Sequence, residues 1–283
     1  MPLSFVVPTP LQYFSALVQS GDSLPLLETA TSIAQDDYPA LDMQGVLAEV
    51  DELLARLKRR IAPDAPPLQT LRLLNQYFFR ELSFGGNVNH YDDPGNSYIH
   101  RVLKTRRGIP ISLAVLWMEL AQGVGLNVSG VGFPGHFLIK VSLPKGQVVI
   151  DPFTGQSLGR EELSERLDAF RPRPSAPMED DVPLGLYLQA AAPREIIARM
   201  LRNLKHIHRA QEDWGRMIGV ENRLITLLPD AWSEYRDRGL AHAEQGRSAH
   251  AVHDLETYLG NTDETQDVLA IAGRVAELRR NGM

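Results

Sequence analysis

Hydrophobic periodicity changes character twice along this chain, and the change restricts the fold more than any single residue does. Up to Val124 the apolar positions recur at helical intervals. From Val128 to Ile150 they fall into short β-branched runs, and after Pro193 the helical pattern returns. Strands gathered into one block and flanked by helices predict an α+β architecture.

In the first helical stretch, Val46, Val50, Leu53, Leu54, Leu57 and Ile61 share one face, with Asp42 placed to cap the N-terminus. The prolines between Pro63 and Pro67 break the chain. A second helix then carries Leu71, Leu74, Phe78 and Leu82 on its buried stripe. Residues 1–40 also read as helical but are interrupted by Pro8, Pro10, Pro25 and Pro39, forming an N-terminal extension. Residues 84–98 are rich in Gly, Asn, Asp and Pro and predict a loop. Gly108-Ile109-Pro110 then starts a strongly apolar helix over Ile111 to Val124, ended by Gly123 and Gly125. Ser112 falls in its first turn.

The β-branched runs are Val128–Phe133, His136–Leu143 and Gln147–Ile150. With Pro144 and Lys145 as a two-residue loop, Leu143 faces Gly146 and Asp151 lies across from Leu138. That register puts His136 and Asp151 on the same sheet face as diagonal neighbours, within side-chain reach. A Pro-rich polar stretch over 171–185 marks a domain boundary. The expected division is an extension over 1–40, a core over 41–171, a linker over 172–190 and helical repeats over 191–283.

The chain has no cysteine, which excludes disulfides, thiolate nucleophiles and thiolate metal sites. A net charge of −6 offers no general attraction to nucleic acid or anionic lipid, so neither is expected as a partner. The apolar run from Ile109 meets Glu119 well short of a membrane span, and the N-terminus lacks a basic signal region; a cytoplasmic location is expected. No P-loop, dinucleotide fingerprint or zinc spacing is present, and no cofactor or metal is expected.

A histidine oriented by a carboxylate, near a hydroxyl at a helix N-terminus, has the residue types of a nucleophile, a general base and an orienting group. Ser112, His136 and Asp151 are the candidates. Each also has a plain structural reading: Ser112 as satisfying backbone donors in the first turn, His136 as a hydrogen-bonded interior histidine, Asp151 as the start of an Asp-Pro turn. His250 and His253 share a helical face without an obvious third ligand, and His206 and His208 diverge. His90, Asp92 and Asp93 could meet a cation but are equally explained by loop solvation.

The segments Arg107–Ala114, Gly130–Phe137 and Ile150–Phe153, with the upstream Gly86-Asn87 and Asn96-Ser97, resemble the SirB-type bacterial transglutaminase-like proteins over about residues 40–170. The resemblance implies a papain-like, cysteine-proteinase-type core and C-terminal tetratricopeptide repeats. In such enzymes a cysteine opens the buried helix, with histidine and aspartate on succeeding strands; the matching positions here are Ser112, His136 and Asp151. Asn87, Asn89 and Asn96 become pocket or oxyanion candidates. A helix N-terminus stabilises a thiolate, whereas serine ionises far less readily and depends on its base. The resemblance therefore implies a noncatalytic regulatory or adaptor protein binding a peptide or protein. The other reading is a serine-dependent acyltransferase or hydrolase.

Taking Pro229 as the end of one unit of about 34 residues sets repeats at about 198–231 and 232–265. In the second, Trp232, Tyr235, Gly239, Gly246, Ala251, Leu255 and Tyr258 fall at packing positions. The first departs from the pattern: Lys205 replaces a small residue and Glu221 an apolar one. Two units form either a peptide groove or a stabilising cap.

Overall fold

The computed structural model describes residues 8–19, 24–170, 183–262 and 265–281; most of the Pro-rich stretch, 171–182, lies outside them. In chain order the elements are α1 (Pro10–Val18), α2 (Leu26–Ser32), α3 (Met43–Lys58), α4 (Pro67–Asn75), β1 (Gly85–Gly86), α5 (Ile99–Thr105) and β2 (Arg107–Gly108). They continue with α6 (Pro110–Gly123), β3 (Asn127–Val131), β4 (Leu138–Leu143), β5 (Gly146–Ile150), β6 (Ser157–Leu158), α7 (Arg160–Asp168) and α8 (Leu184–Tyr187). The last five are α9 (Pro193–Ala210), α10 (Trp214–Leu227), α11 (Trp232–Glu244), α12 (Ser248–Asn261) and α13 (Thr265–Asn281). They divide into two compact units. One comprises Pro25–Thr31 and Asp42–Ile196; the other comprises the segments up to Leu24, Ser32–Leu41 and the chain from Ile197 onward.

The core unit is built around α6. Pro110 sits where the missing N–H costs nothing, and eleven residues from Pro110 to Ala121 are buried, so the helix is enclosed except near Glu119 and at its C-terminal Gln122. Asp42 caps α3 by accepting from the Gly45 N–H at 3.0 Å. The α4 helix runs on into a π-helical turn, Gln76–Glu81, that keeps Phe78 buried and leaves Leu82 half-buried. Trp117 of α6 donates its indole N–H to Asn75 Oδ1 at 3.1 Å, which satisfies the only polar atom of a fully buried ring.

The sheet has the order β3-β4-β5-β6 and is antiparallel throughout. Leu143 pairs with Gly146 and Ile139 with Ile150, the register expected for a two-residue Pro144-Lys145 loop. Val131, Phe133, Leu138, Val149 and Leu158 form one face of a cluster closed by Leu163 and Leu167 of α7. Residues after Pro183 also pack on this sheet. Leu188 joins the same cluster, the Leu188 carbonyl accepts from Lys140 Nζ at 2.7 Å, and the Ala191 N–H reaches the Gly130 carbonyl at 2.9 Å. The part of the expected linker that is described, 183–190, is thus bonded to the core.

In the second unit the N-terminal segments pack with C-terminal helices, so the expected extension over 1–40 has no separate core of its own. Arg223 of α10, almost fully buried, pairs with Asp36, donates to the Ser32 carbonyl at 3.4 Å and lies over the Phe14 ring at 5.5 Å. α11 and α12 form a tight antiparallel pair. A Cβ at Gly239 would come within 2.9 Å of the Leu255 side chain, so only glycine permits this approach. Ala251, Leu255 and Tyr258 then meet Ile271, Val275 and Leu278 of α13.

Candidate active site

Three backbone ties bring the loop over 84–98, the start of α6 and the turn after β5 into one place. The Gly86 N–H donates to the Phe153 carbonyl at 2.9 Å, the Asn87 N–H to the Gly108 carbonyl at 3.1 Å, and the Ile109 N–H to the Asn96 carbonyl at 3.3 Å. Gly86 is required there, because a Cβ would fall 2.3 Å from the Phe153 ring.

His136 and Asp151 meet as the hairpin register implies. Nε2 of His136 lies 2.8 Å from Asp151 Oδ1. An ionised carboxylate only accepts, so Nε2 is the protonated nitrogen and proton transfer to a substrate would run through Nδ1. Asp151 is 2% exposed and is fixed from three sides. Besides the imidazole it takes the Phe153 N–H at 2.9 Å and two guanidinium contacts from Arg166 of α7 at 3.2 and 3.3 Å. Burial alone would raise its pKa. The His136 hydrogen bond and charge, the Phe153 N–H and the Arg166 charge outweigh it and hold the carboxyl below its ordinary value. Arg166 was not expected from sequence. Its contact depends on how α7 docks beyond β6, and a basic residue in a helical last turn carries no sign of that.

Ser112 is wholly buried. Its Oγ donates to the Asn96 carbonyl at 2.6 Å, with the Ile109 carbonyl at 3.1 Å. One hydroxyl hydrogen serves one strong bond, so the oxygen is tied to the loop backbone. Gly108 packs against it so closely that a Cβ there would stand 2.7 Å from Oγ. The asparagine candidates knit the same loop. Asn87 Nδ2 donates to Asn96 Oδ1 at 2.9 Å, and Asn96 Nδ2 donates to the His90 and Tyr91 carbonyls at 2.6 and 3.1 Å. Both amide hydrogens of Asn96 are therefore engaged, while Asn89 is exposed.

Residues 44–202 match the family model for the transglutaminase-like superfamily, more than half of the chain. The chain belongs to that superfamily. Residues 204–276 match a tetratricopeptide repeat model, so the α+β core is followed by helical repeats of that type. A UPF0162 protein of Xylella fastidiosa is 36% identical over 258 residues, covering 91% of each chain, and the chain is equally a member of the UPF0162 family. Further UPF0162 relatives are a Pseudomonas aeruginosa protein, 29% identical over 89% of this chain and 90% of its own, and YchA of Escherichia coli, 26% identical over 81% and 82%.

Among the described residues, one acidic group has the spacing of a cation site. Ligand atoms of Glu221, Glu234 and Asp237 lie within 4.8 Å of one another. The chain supplies its own cation there: Lys205 Nζ is 3.0 Å from Glu221, 2.7 Å from Asp237 and also bonded to Glu234. No helix of the described residues is long and apolar enough to cross a membrane.

Proposed function

We propose that this transglutaminase-like protein is a noncatalytic, cytoplasmic regulatory or adaptor protein of the SirB type, and that its core pocket and repeats recognise a peptide or protein. The observation that carries this reading is the bond from Ser112 Oγ to the Asn96 carbonyl. A nucleophile must present its lone pair to an acyl carbon with a base in reach, whereas this oxygen lies buried and serves to anchor the loop. Tetratricopeptide repeats generally bind proteins, which supports the partner class. Treatment with a serine-reactive phosphonyl probe tests the reading. Neither the parent protein nor Ser112→Ala is expected to be labelled; labelling of the parent that disappears in Ser112→Ala would overturn it.

The second reading is a serine acyltransferase or hydrolase in which Ser112 attacks, His136 moves the proton and Asp151 orients the ring. The observation in its favour is the 2.8 Å contact between His136 and Asp151, whose carboxyl is held below its ordinary pKa.

A further inference from the structure

The second unit contains a cavity of about 330 Å³ between α10, α11 and the first turn of α12. Arg247 stands at the N-cap of α12 and its side chain does not cap the helix. The first N–H groups of a helix without a side-chain cap are unmatched donors, and they add partial positive charge to that end. Arg247 and His250, both exposed, line the mouth, and His253 of α12 lines it one turn on.

Beneath them lies His242 of α11. It is 7% exposed, yet its Nδ1 is buried with no hydrogen-bond partner. Buried polar atoms are rarely left so; the His242 residue lines the cavity, with its ring 5.1 Å from that of His250. The cavity's one carboxylate is already matched. Arg238 clamps both oxygens of Asp254 at 2.7 Å through Nε and Nη2, and its Nη1 donates to Asn222 Oδ1 at 2.8 Å. Two guanidinium groups, Arg238 and Arg247, thus face one carboxylate, which Arg238 alone already matches, and this leaves the Arg247 charge unbalanced among the lining groups.

We propose that this cavity binds a small oxyanion of the phosphate class, either the free ion or a phosphoryl group carried by a larger ligand, held by Arg247, His250, His242 and the N-terminus of α12. A tetrahedral anion suits donors that converge from separate directions better than a planar carboxylate does. Burial lowers the His242 pKa; Asp254 works the other way, and His250, Arg238 and Arg247 lower it further. A bound anion acts in the same direction as Asp254 and favours the protonated ring, so binding is expected to be coupled to proton uptake. The site is independent of Ser112 and of whether the core is catalytic.

Isothermal titration of the full-length protein with inorganic phosphate, sulfate and phenyl phosphate tests the proposal. Sulfate keeps a fixed charge, so its affinity isolates the histidines, and it is expected to bind more tightly at pH 6 than at pH 8. Arg247→Ala and His250→Gln change exposed side chains and should leave the melting temperature in place. Each is expected to weaken phosphate binding roughly tenfold, the loss of one charge-assisted contact. Phenyl phosphate binding more tightly than phosphate would identify a carried phosphoryl group, and equal affinities the free ion. Absence of saturable binding, sulfate affinity independent of pH, or variants that bind like the parent would overturn the proposal.

Discussion

Lys205 and Glu221 meet at 3.0 Å in the interior of the repeat unit. In the sequence they are two separate departures from the tetratricopeptide pattern, a charge where a small residue packs and a charge where an apolar one belongs. In space they are one feature, completed by Glu234 and Asp237 and edged by Arg202 and Arg236. A buried charge is tolerated only when its partners remain.

Removing the lysine should therefore be costly. Lys205→Met leaves Glu221 without a cation and takes one of two from Glu234 and from Asp237, and is expected to lower stability by about 3–5 kcal/mol in urea unfolding. Adding Glu221→Leu should recover much of that loss, since two apolar groups then replace the pair. A single variant as stable as the parent would show that the cluster contributes nothing.

The same cluster predicts a pH dependence. Burial pushes the Glu221 pKa up to about 8; Lys205 pulls it down, and Glu234 and Asp237 push it further up. Between its ordinary value of 4.5 and about 8, the folded state thus holds a proton that the unfolded state releases. This group's contribution to stability is full below that window and is lost as pH rises through it. Lys205, with its pKa raised, and Asp237, with its pKa lowered, change charge outside the window. Glu221→Gln should flatten the stability profile between pH 5 and 8, measured by urea midpoints; an unchanged slope would place the effect elsewhere.

Gly108 and Ser112 form a second coupled pair. A Cβ at position 108 would meet Ser112 Oγ at 2.7 Å and Val102 at 3.1 Å, so Gly108→Ala is expected to cost about 1–3 kcal/mol. Ser112→Ala alone loses one buried hydrogen bond, about 1 kcal/mol. Combined, the two should cost less than their sum, because removing the hydroxyl makes room for the methyl. Strict additivity in thermal melts would contradict this packing.

Asp151 has the opposite sign to Glu221. Its folded pKa is depressed, so its stabilising contribution is present above the ordinary carboxylate value and is lost as pH falls towards the depressed one. Asp151→Asn should be less stable than the parent at pH 7, and the difference should shrink below about pH 4 as the parent's carboxyl protonates. A constant difference across the acid range would mean that neither His136 nor Arg166 matters to the fold.

Much of the core was legible from periodicity. The hairpin register followed from one short loop, and it carried His136 to Asp151 without any knowledge of the third dimension. The Asp42 cap and the proline start of α6 were equally local signals. What escaped were contacts made by docking. Arg166 reaches Asp151 only through the placement of α7, and Lys205 of α9 finds its acids on two other helices, α10 and α11. Sequence order also hides that Asp36 and Arg223, far apart along the chain, are neighbours. The hydroxyl of Ser112 could be placed at a helix start, but its backbone acceptor sixteen residues upstream is a matter of loop path, which composition does not encode.

A helix buried along nearly its whole length merges two kinds of upkeep. Any change along Pro110–Gly123 that spoiled the setting of residue 112 would also spoil the packing of the whole unit. Selection on the fold alone would therefore keep residue 112 in its setting, whatever chemistry the chain performs.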